Sequence, residues 1–177
     1  IAAEQHDLRL VDRRVLLRAP LTARTAGERV RALGDTDVAL LGPALDRLAA
    51  WSRFARDPGF GFAPARRMYD AWLQRAIASP NERVGVLDGG NEPVGFVTLR
   101  VDSDAEIGLI AVVAGETGAG QKLIDWAFNT ASASSSLEVV TQADNTRALA
   151  LYERNGFVRK AETVMYHLWL TNEESHG

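Results

Sequence analysis

Asn145-Thr146-Arg147-Ala148-Leu149-Ala150-Leu151-Tyr152-Glu153-Arg154-Asn155-Gly156-Phe157 is the stretch whose reading decides the fold. Its spacing predicts a helix over Asn145 to Asn155, closed by Gly156. Asn145, Ala148 and Tyr152 then share one helical face. The segment follows Leu137 to Thr141, a short β-rich run, so strand leads into helix through a three-residue connection.

Upstream, the run Ile107 to Val113 reads as a strand that ends in Ala114-Gly115-Glu116-Thr117-Gly118-Ala119-Gly120-Gln121-Lys122, with a helix predicted from Leu123 to Ala131. A glycine loop between strand and helix places backbone N–H groups and the positive end of the helix dipole where a pyrophosphate can sit. The same loop also fits a plain tight turn. A dinucleotide fingerprint needs glycine at position 123, which is Leu123.

Further out, Val84 to Leu87 and Val94 to Leu99 flank the turn-rich Asp88-Gly89-Gly90-Asn91-Glu92-Pro93 as a hairpin. The last strand is predicted over Thr163 to Leu170. Two strand-helix-strand crossovers after a hairpin predict an α/β (α+β) fold with a central mixed sheet, helices packed on it. The N-terminal region carries a strand at Val15-Leu16-Leu17 that stops at Pro20. Short helices are predicted between Ala26 and Trp51, from Val30, Leu33, Leu40, Leu41, Leu45 and Leu48. An aromatic-lined loop follows over Arg53 to Pro64, then a helix over Ala65 to Ala78. Residues 1–83 are read as a substrate-side region and 84–177 as the core, within one continuous unit.

Composition narrows the function. The 177 residues carry a net charge of −3, against a dedicated nucleic-acid binder. Arginines at 9, 13, 14, 18, 24, 29 and 31 read as a solvated surface, interrupted by Asp7, Asp12 and Glu28. Zero cysteines exclude disulfides, thiolate metal sites and a cysteine nucleophile. The three histidines include His6 and His176 near the termini and have no metal-ligand spacing, so no metal is expected. Without a membrane-length apolar run or a signal-peptide pattern, the cytoplasm is the expected compartment. The chain opens on Ile1 rather than methionine, leaving the completeness of the N-terminus open.

The glycine loop, followed after one helix and one strand by N-x-x-A-x-x-x-Y-x-x-x-G-F, resembles the GNAT superfamily of N-acetyltransferases over about 85 residues. The resemblance implies a mostly antiparallel GNAT sheet and acetyl-CoA as co-substrate. It implies that Ile110, Ala111 and Val112 offer backbone groups to the pantetheine arm, and that Thr117, Gly118, Ala119, Gly120, Gln121 and Lys122 hold the pyrophosphate. Asn145 would contact the cofactor arm, and Tyr152 would protonate the departing thiolate, a task suited to a phenol at neutral pH. A half-buried, packing tyrosine fits the same position. The family loop usually carries Gln or Arg ahead of its first glycine; here Thr117 stands at that place, or Gly115 if the loop is gapped.

Trp51-Ser52-Arg53-Phe54, Tyr69-Asp70-Ala71-Trp72, Gly95 to Arg100, Ile107 to Ala111 and Thr141 to Thr146 are similar to the dTDP-fucosamine acetyltransferases. That resemblance implies a dTDP-linked amino sugar as acceptor, with Trp51, Arg53, Phe54, Phe60 and Tyr69 shaping its site; a hydrophobic patch under a loop is the alternative for those residues. Another amine (an antibiotic, a small metabolite or a protein N-terminus) or a non-catalytic CoA-binding or interaction domain is the alternative for the function. Transfer to a primary amine needs the neutral nucleophile. Glu106 occupies a place where some GNAT members carry a catalytic glutamate, though it also reads as a solvent-facing charge. His167, among Tyr166, Leu168 and Trp169, is a further candidate, though a lone histidine there is more often structural. Edge-strand pairing into a homodimer is compatible with this architecture.

Overall fold

The computed structural model describes residues 8–24 and 29–169. The predicted helix start at Ala26, the strand end at Leu170, His6 and His176 lie outside them. In chain order the elements are β1 (Arg9–Pro20), β2 (Val30–Ala32), α1 (Asp37–Leu40), α2 (Gly42–Ala50), α3 (Arg53–Arg56), α4 (Phe62–Ala78), β3 (Glu82–Asp88), β4 (Pro93–Arg100), β5 (Ala105–Val112), α5 (Ala119–Thr130), β6 (Ser136–Gln142), α6 (Thr146–Arg154) and β7 (Val158–His167). The strands form one sheet in the order β2-β3-β4-β5-β6-β1-β7. Every neighbouring pair is antiparallel except β5 and β6.

Helices cover both faces, which is why β4 reads as a nearly continuous apolar run rather than an alternating one. Successive residues of a strand point to opposite faces. Val97, Leu99 and Ile107 therefore pack with Leu123, Ile124 and Phe128 of α5, while Phe96 packs with Leu45 of α2 and Leu73 of α4. β1 lies inside the sheet, pairing with β6 over Arg14 to Pro20 and with β7 over Arg9 to Arg18. Residues from the first 83 thus build the same sheet as the later half.

Several local expectations change, and one is that α5 begins at Ala119, so Ala119 to Lys122 form its first turn rather than loop. Val30 starts a three-residue strand rather than a helix, pairing with Leu87 at the sheet edge, and the Leu33 N–H donates to the Val84 carbonyl at 2.9 Å. The stretch Arg53 to Pro64 contains helix: Ser52 caps α3 by accepting from the Ala55 N–H at 3.1 Å, and α4 already begins at Phe62. β7 begins at Val158, ahead of Thr163. As an edge strand it is exposed along most of its length, so no apolar alternation announces its start.

One irregularity positions the site. β4 and β5 pair Val97 with Ile110 and Leu99 with Ile107, so β5 carries one extra residue against Thr98, a β-bulge at Gly108 and Leu109. The Leu109 N–H donates to the Thr98 hydroxyl at 2.8 Å, and Thr98 is 1% exposed. A Cβ on Gly108 would come within 2.8 Å of that same hydroxyl oxygen, so the bulge requires glycine there. The parallel ladder between β5 and β6 runs from Ala105–Leu137 to Ile107–Val139 and stops where the bulge begins. Bulges bend their strand, and beyond this one β5 and β6 separate. Thr98→Val keeps the side-chain shape but leaves the Leu109 N–H buried without its acceptor. The expected loss is about 1–3 kcal/mol in urea-induced unfolding.

Candidate active site

The separated ends of β5 and β6 open a cleft of about 400 Å³, within the range of small-molecule sites. Ile110, Ala111, Val112 and Val113 form one wall, Asn145, Ala148, Leu151 and Tyr152 the other, and Leu48 and Trp51 lie toward the N-terminal helices. The backbone of β5 supplies its polar groups. Leu109 and Val113 both send their N–H toward β4, to Thr98 and to the Val94 carbonyl at 2.9 Å. Alternation along a strand then turns Ile110 and Val112 the other way, into the gap that β6 has left.

At one end of the cleft, Gly118 adopts φ +73° at the N-cap of α5, a left-handed conformation that glycine takes without steric cost. Gly118, Gly120 and Gln121 line the cleft there. The first four N–H groups of a helix have no partner within it, so this end presents a cluster of donors to an anion. No basic side chain stands between β5 and α5, Lys122 being on α5 and outside the lining, and Glu116 lines the cleft there instead. The counter-charge comes from Arg147 and Arg154 on α6 and Arg47 on α2, three arginines against one glutamate. None of the three arginines has an ion-pair partner among the described residues. Sequence reasoning missed them, because arginines on an amphipathic helix read as solvated charge; their helical spacing with Leu151 was the available signal.

Asn145 caps α6, its side-chain oxygen accepting from the Ala148 N–H at 3.1 Å, which leaves the amide nitrogen as the donor for a ligand. Tyr152 is 3% exposed, packs edge-on against Phe157 with ring centroids 5.5 Å apart, and lines the cleft. Burial alone pushes its phenol above the usual range, because the phenolate would have to form away from water.

An unpaired strand backbone, an apolar gap and a donor-rich helix start fit the pantetheine arm and pyrophosphate of coenzyme A. The model of the acetyltransferase (GNAT) family matches residues 46–157, well over half of the chain. The chain belongs to the GNAT acetyltransferase family. Its fold is similar to a GCN5-related N-acetyltransferase from Sphaerobacter thermophilus (TM-score 0.59, 19% identity, 93% of this chain and 54% of that one). It is also similar to a GCN5-related N-acetyltransferase from Kribbella flavida (0.57, 16%, 92% and 60%) and to a GNAT-family acetyltransferase from Colwellia psychrerythraea (0.61, 12%, 88% and 55%). This chain spans 54% to 60% of those three proteins. No curated protein matches it.

Within this GNAT domain the expected site residues separate into groups. Ile110, Ala111, Val112, Gly118, Gly120, Gln121, Asn145, Tyr152 and Trp51 come together around the cleft. Thr117 and Lys122 lie outside its lining, and Ala119 is buried in the core. Gln121 borders the cleft, but its amide is engaged with Asp125 at 3.0 Å and Asn155 at 2.7 Å. Glu106 sits at the start of β5, paired with Arg100 and outside the lining, because four residues of strand, about 13 Å, separate it from Ile110. Phe54, Phe60 and Tyr69 form an aromatic cluster with Trp72: Phe54 and Phe60 lie 5.1 Å apart, Tyr69 and Trp72 5.0 Å. Arg53 lies over the Phe54 ring at 4.2 Å. His167 is bonded through Nδ1 to buried Asp57 and stacks on Phe54, tying β7 to α3. Burial would raise the Asp57 carboxyl, but hydrogen bonds from His167, Gly59 and Trp169 outweigh it and hold it below the usual range. Removing the α6 cap with Asn145→Ala lowers stability by about 1 kcal/mol in urea-induced unfolding, and Asn145→Asp recovers most of it.

Proposed function

We propose that this GNAT domain moves an acetyl group from acetyl-CoA to the primary amine of a nucleotide-linked amino sugar, with Tyr152 as general acid. The observation that carries the reading is Tyr152, buried on α6 and lining the same cleft as the gap-facing backbone of Ile110 and Val112. Acetyl-CoA supplies an activated thioester. The Ile110 and Val112 N–H groups point where they can hold its carbonyl oxygen as charge develops; in other enzymes one such donor is worth roughly 10²–10³ in turnover. Tyr152 then gives its proton to the departing sulfur. Nothing in the roles assigned here calls for a covalent enzyme intermediate, and a sugar amine of modest basicity loses its proton to water, Glu106 being held by Arg100. The sugar-nucleotide acceptor rests on the similarity of Trp51 to Phe54 and Tyr69 to Trp72, of which Trp51 lines the cleft.

The upward shift of Tyr152 keeps the phenol loaded and also makes it a weaker acid, so its proton passes only as negative charge develops on the sulfur. A raised pKa keeps the phenol proton-loaded at every pH below the usual value near 10, so the group contributes no alkaline limb to turnover below about pH 10. Acetyl transfer to a dTDP-linked amino sugar, compared with aminoglycosides and peptides, tests acceptor and acid together. The expected result is preference for the sugar nucleotide, and for Tyr152→Phe a turnover lower by about 10²-fold or more with acetyl-CoA affinity within twofold. Equal turnover by Tyr152→Phe contradicts the general-acid role, and a clear preference for another amine contradicts the acceptor.

A further inference from the structure

A second, smaller cleft of about 160 Å³ lies between the start of β1 and α3, lined by Arg9, Leu10, Val11, Arg53, Arg56 and Asp57. Val11 is the extra residue of a bulge in β1, between the pairs Leu10–Tyr166 and Asp12–Met165. Three guanidinium groups border one small space, with Asp12 beside Arg53, Asp144 beside Arg56 and Asp57 in the lining. Arg53 is 3.8 Å from Asp12, beyond hydrogen-bond reach, and its buried Nε has no partner among the described residues. Arg56 is anchored at 2.7 Å by Asp144, a carboxylate that is 63% exposed. Arg9 has no ion-pair partner among the described residues. Asp57 spends both oxygens on its own surroundings, one on Gly59 and the other on His167 and Trp169.

We propose that this cleft is an anion subsite that holds a phosphate group of the acceptor. Arginine forks match phosphate oxygens in geometry as well as charge. The chain also places the subsite next to the large cleft. Trp51 lines the large cleft and Arg53 the small one, two residues and at most about 7 Å apart along the backbone. Asp144, which anchors Arg56, directly precedes Asn145 in the large cleft. A molecule anchored by phosphate at Arg9, Arg53 and Arg56 can therefore extend past Trp51 toward Tyr152. Assigning the anion to the acceptor rests on the acetyl-transfer reading; the anion site itself does not.

The test titrates protein saturated with CoA, which fills the large cleft, with inorganic pyrophosphate and with dTDP by calorimetry. The expected result is binding of both, weakened about tenfold or more in Arg9→Gln/Arg56→Gln as charge-assisted hydrogen bonds are lost, with CoA affinity unchanged. Both substituted arginines are exposed, and the retained CoA affinity shows that the variant is folded. Loss of pyrophosphate binding once CoA is present, or equal binding by the variant, overturns the subsite. Succinate binding as tightly as pyrophosphate overturns the phosphate class. A variant that loses affinity for CoA but not for dephospho-CoA shows that the arginines read the cofactor's own phosphate, which overturns the acceptor assignment. Intact anion binding without acetyl transfer to the amino sugar sinks the acceptor reading and leaves the subsite standing.

Discussion

Leu109 donates its backbone N–H to the Thr98 hydroxyl rather than to a ladder carbonyl, and that hydrogen bond absorbs the extra residue that bends β5 away from β6. Much of the site depends on it. Inside a sheet covered on both faces, an unpaired strand backbone is costly unless something else occupies its hydrogen-bonding groups. Here the bulge leaves the backbone of Ile110 and Val112 facing an apolar gap, and the same bend makes room for α6 to present Asn145 and Tyr152 across it. Ladder, bulge and cleft form one causal sequence, which starts from a glycine that brings no Cβ against a buried threonine.

The electrostatics of the cleft follow from what its loop lacks. The start of α5 offers backbone donors, but the loop adds Glu116 rather than a cation. Arg147 and Arg154, placed by the period of α6 on the face that carries Leu151, and Arg47 from α2 bring the opposing charge from outside the loop. The positive potential of the cleft is thus divided between a fixed backbone and side chains that no ion pair holds among the described residues. The first gives geometry and the second gives a salt-dependent attraction.

Legibility in the sequence followed the range of the physics. The α6 segment was readable because capping, helical period and a closing glycine are local, and Gly156 does take a positive φ of 83° at the end of that helix. The hairpin was readable from two β-rich runs around turn residues, and both crossovers from the order of β-rich runs and helical segments. The place of β1 between β6 and β7 was not, since long-range pairing order leaves no periodic trace. Val30 was misread because three residues cannot show a strand period, and the pairing with Leu87 that decides them is tertiary. Gly108 in the middle of an apolar run was a visible sign of a bulge that went unused. Glu106 is a residue type suited to catalysis, and its place at the start of β5, paired with Arg100 and outside the cleft lining, depends on sheet pairing that residue type alone does not reveal.

The central claim is that coenzyme A binds along the backbone of β5 where β6 has left it. Titrating the isotopically labelled protein with CoA while following backbone amide resonances tests this most directly. The account predicts that the Ile110, Val112, Gly118 and Gly120 amides shift together and saturate at one stoichiometric equivalent, while Ile107, still inside the parallel ladder, moves little. Saturable binding that leaves Ile110 and Val112 unmoved and shifts amides elsewhere would contradict it.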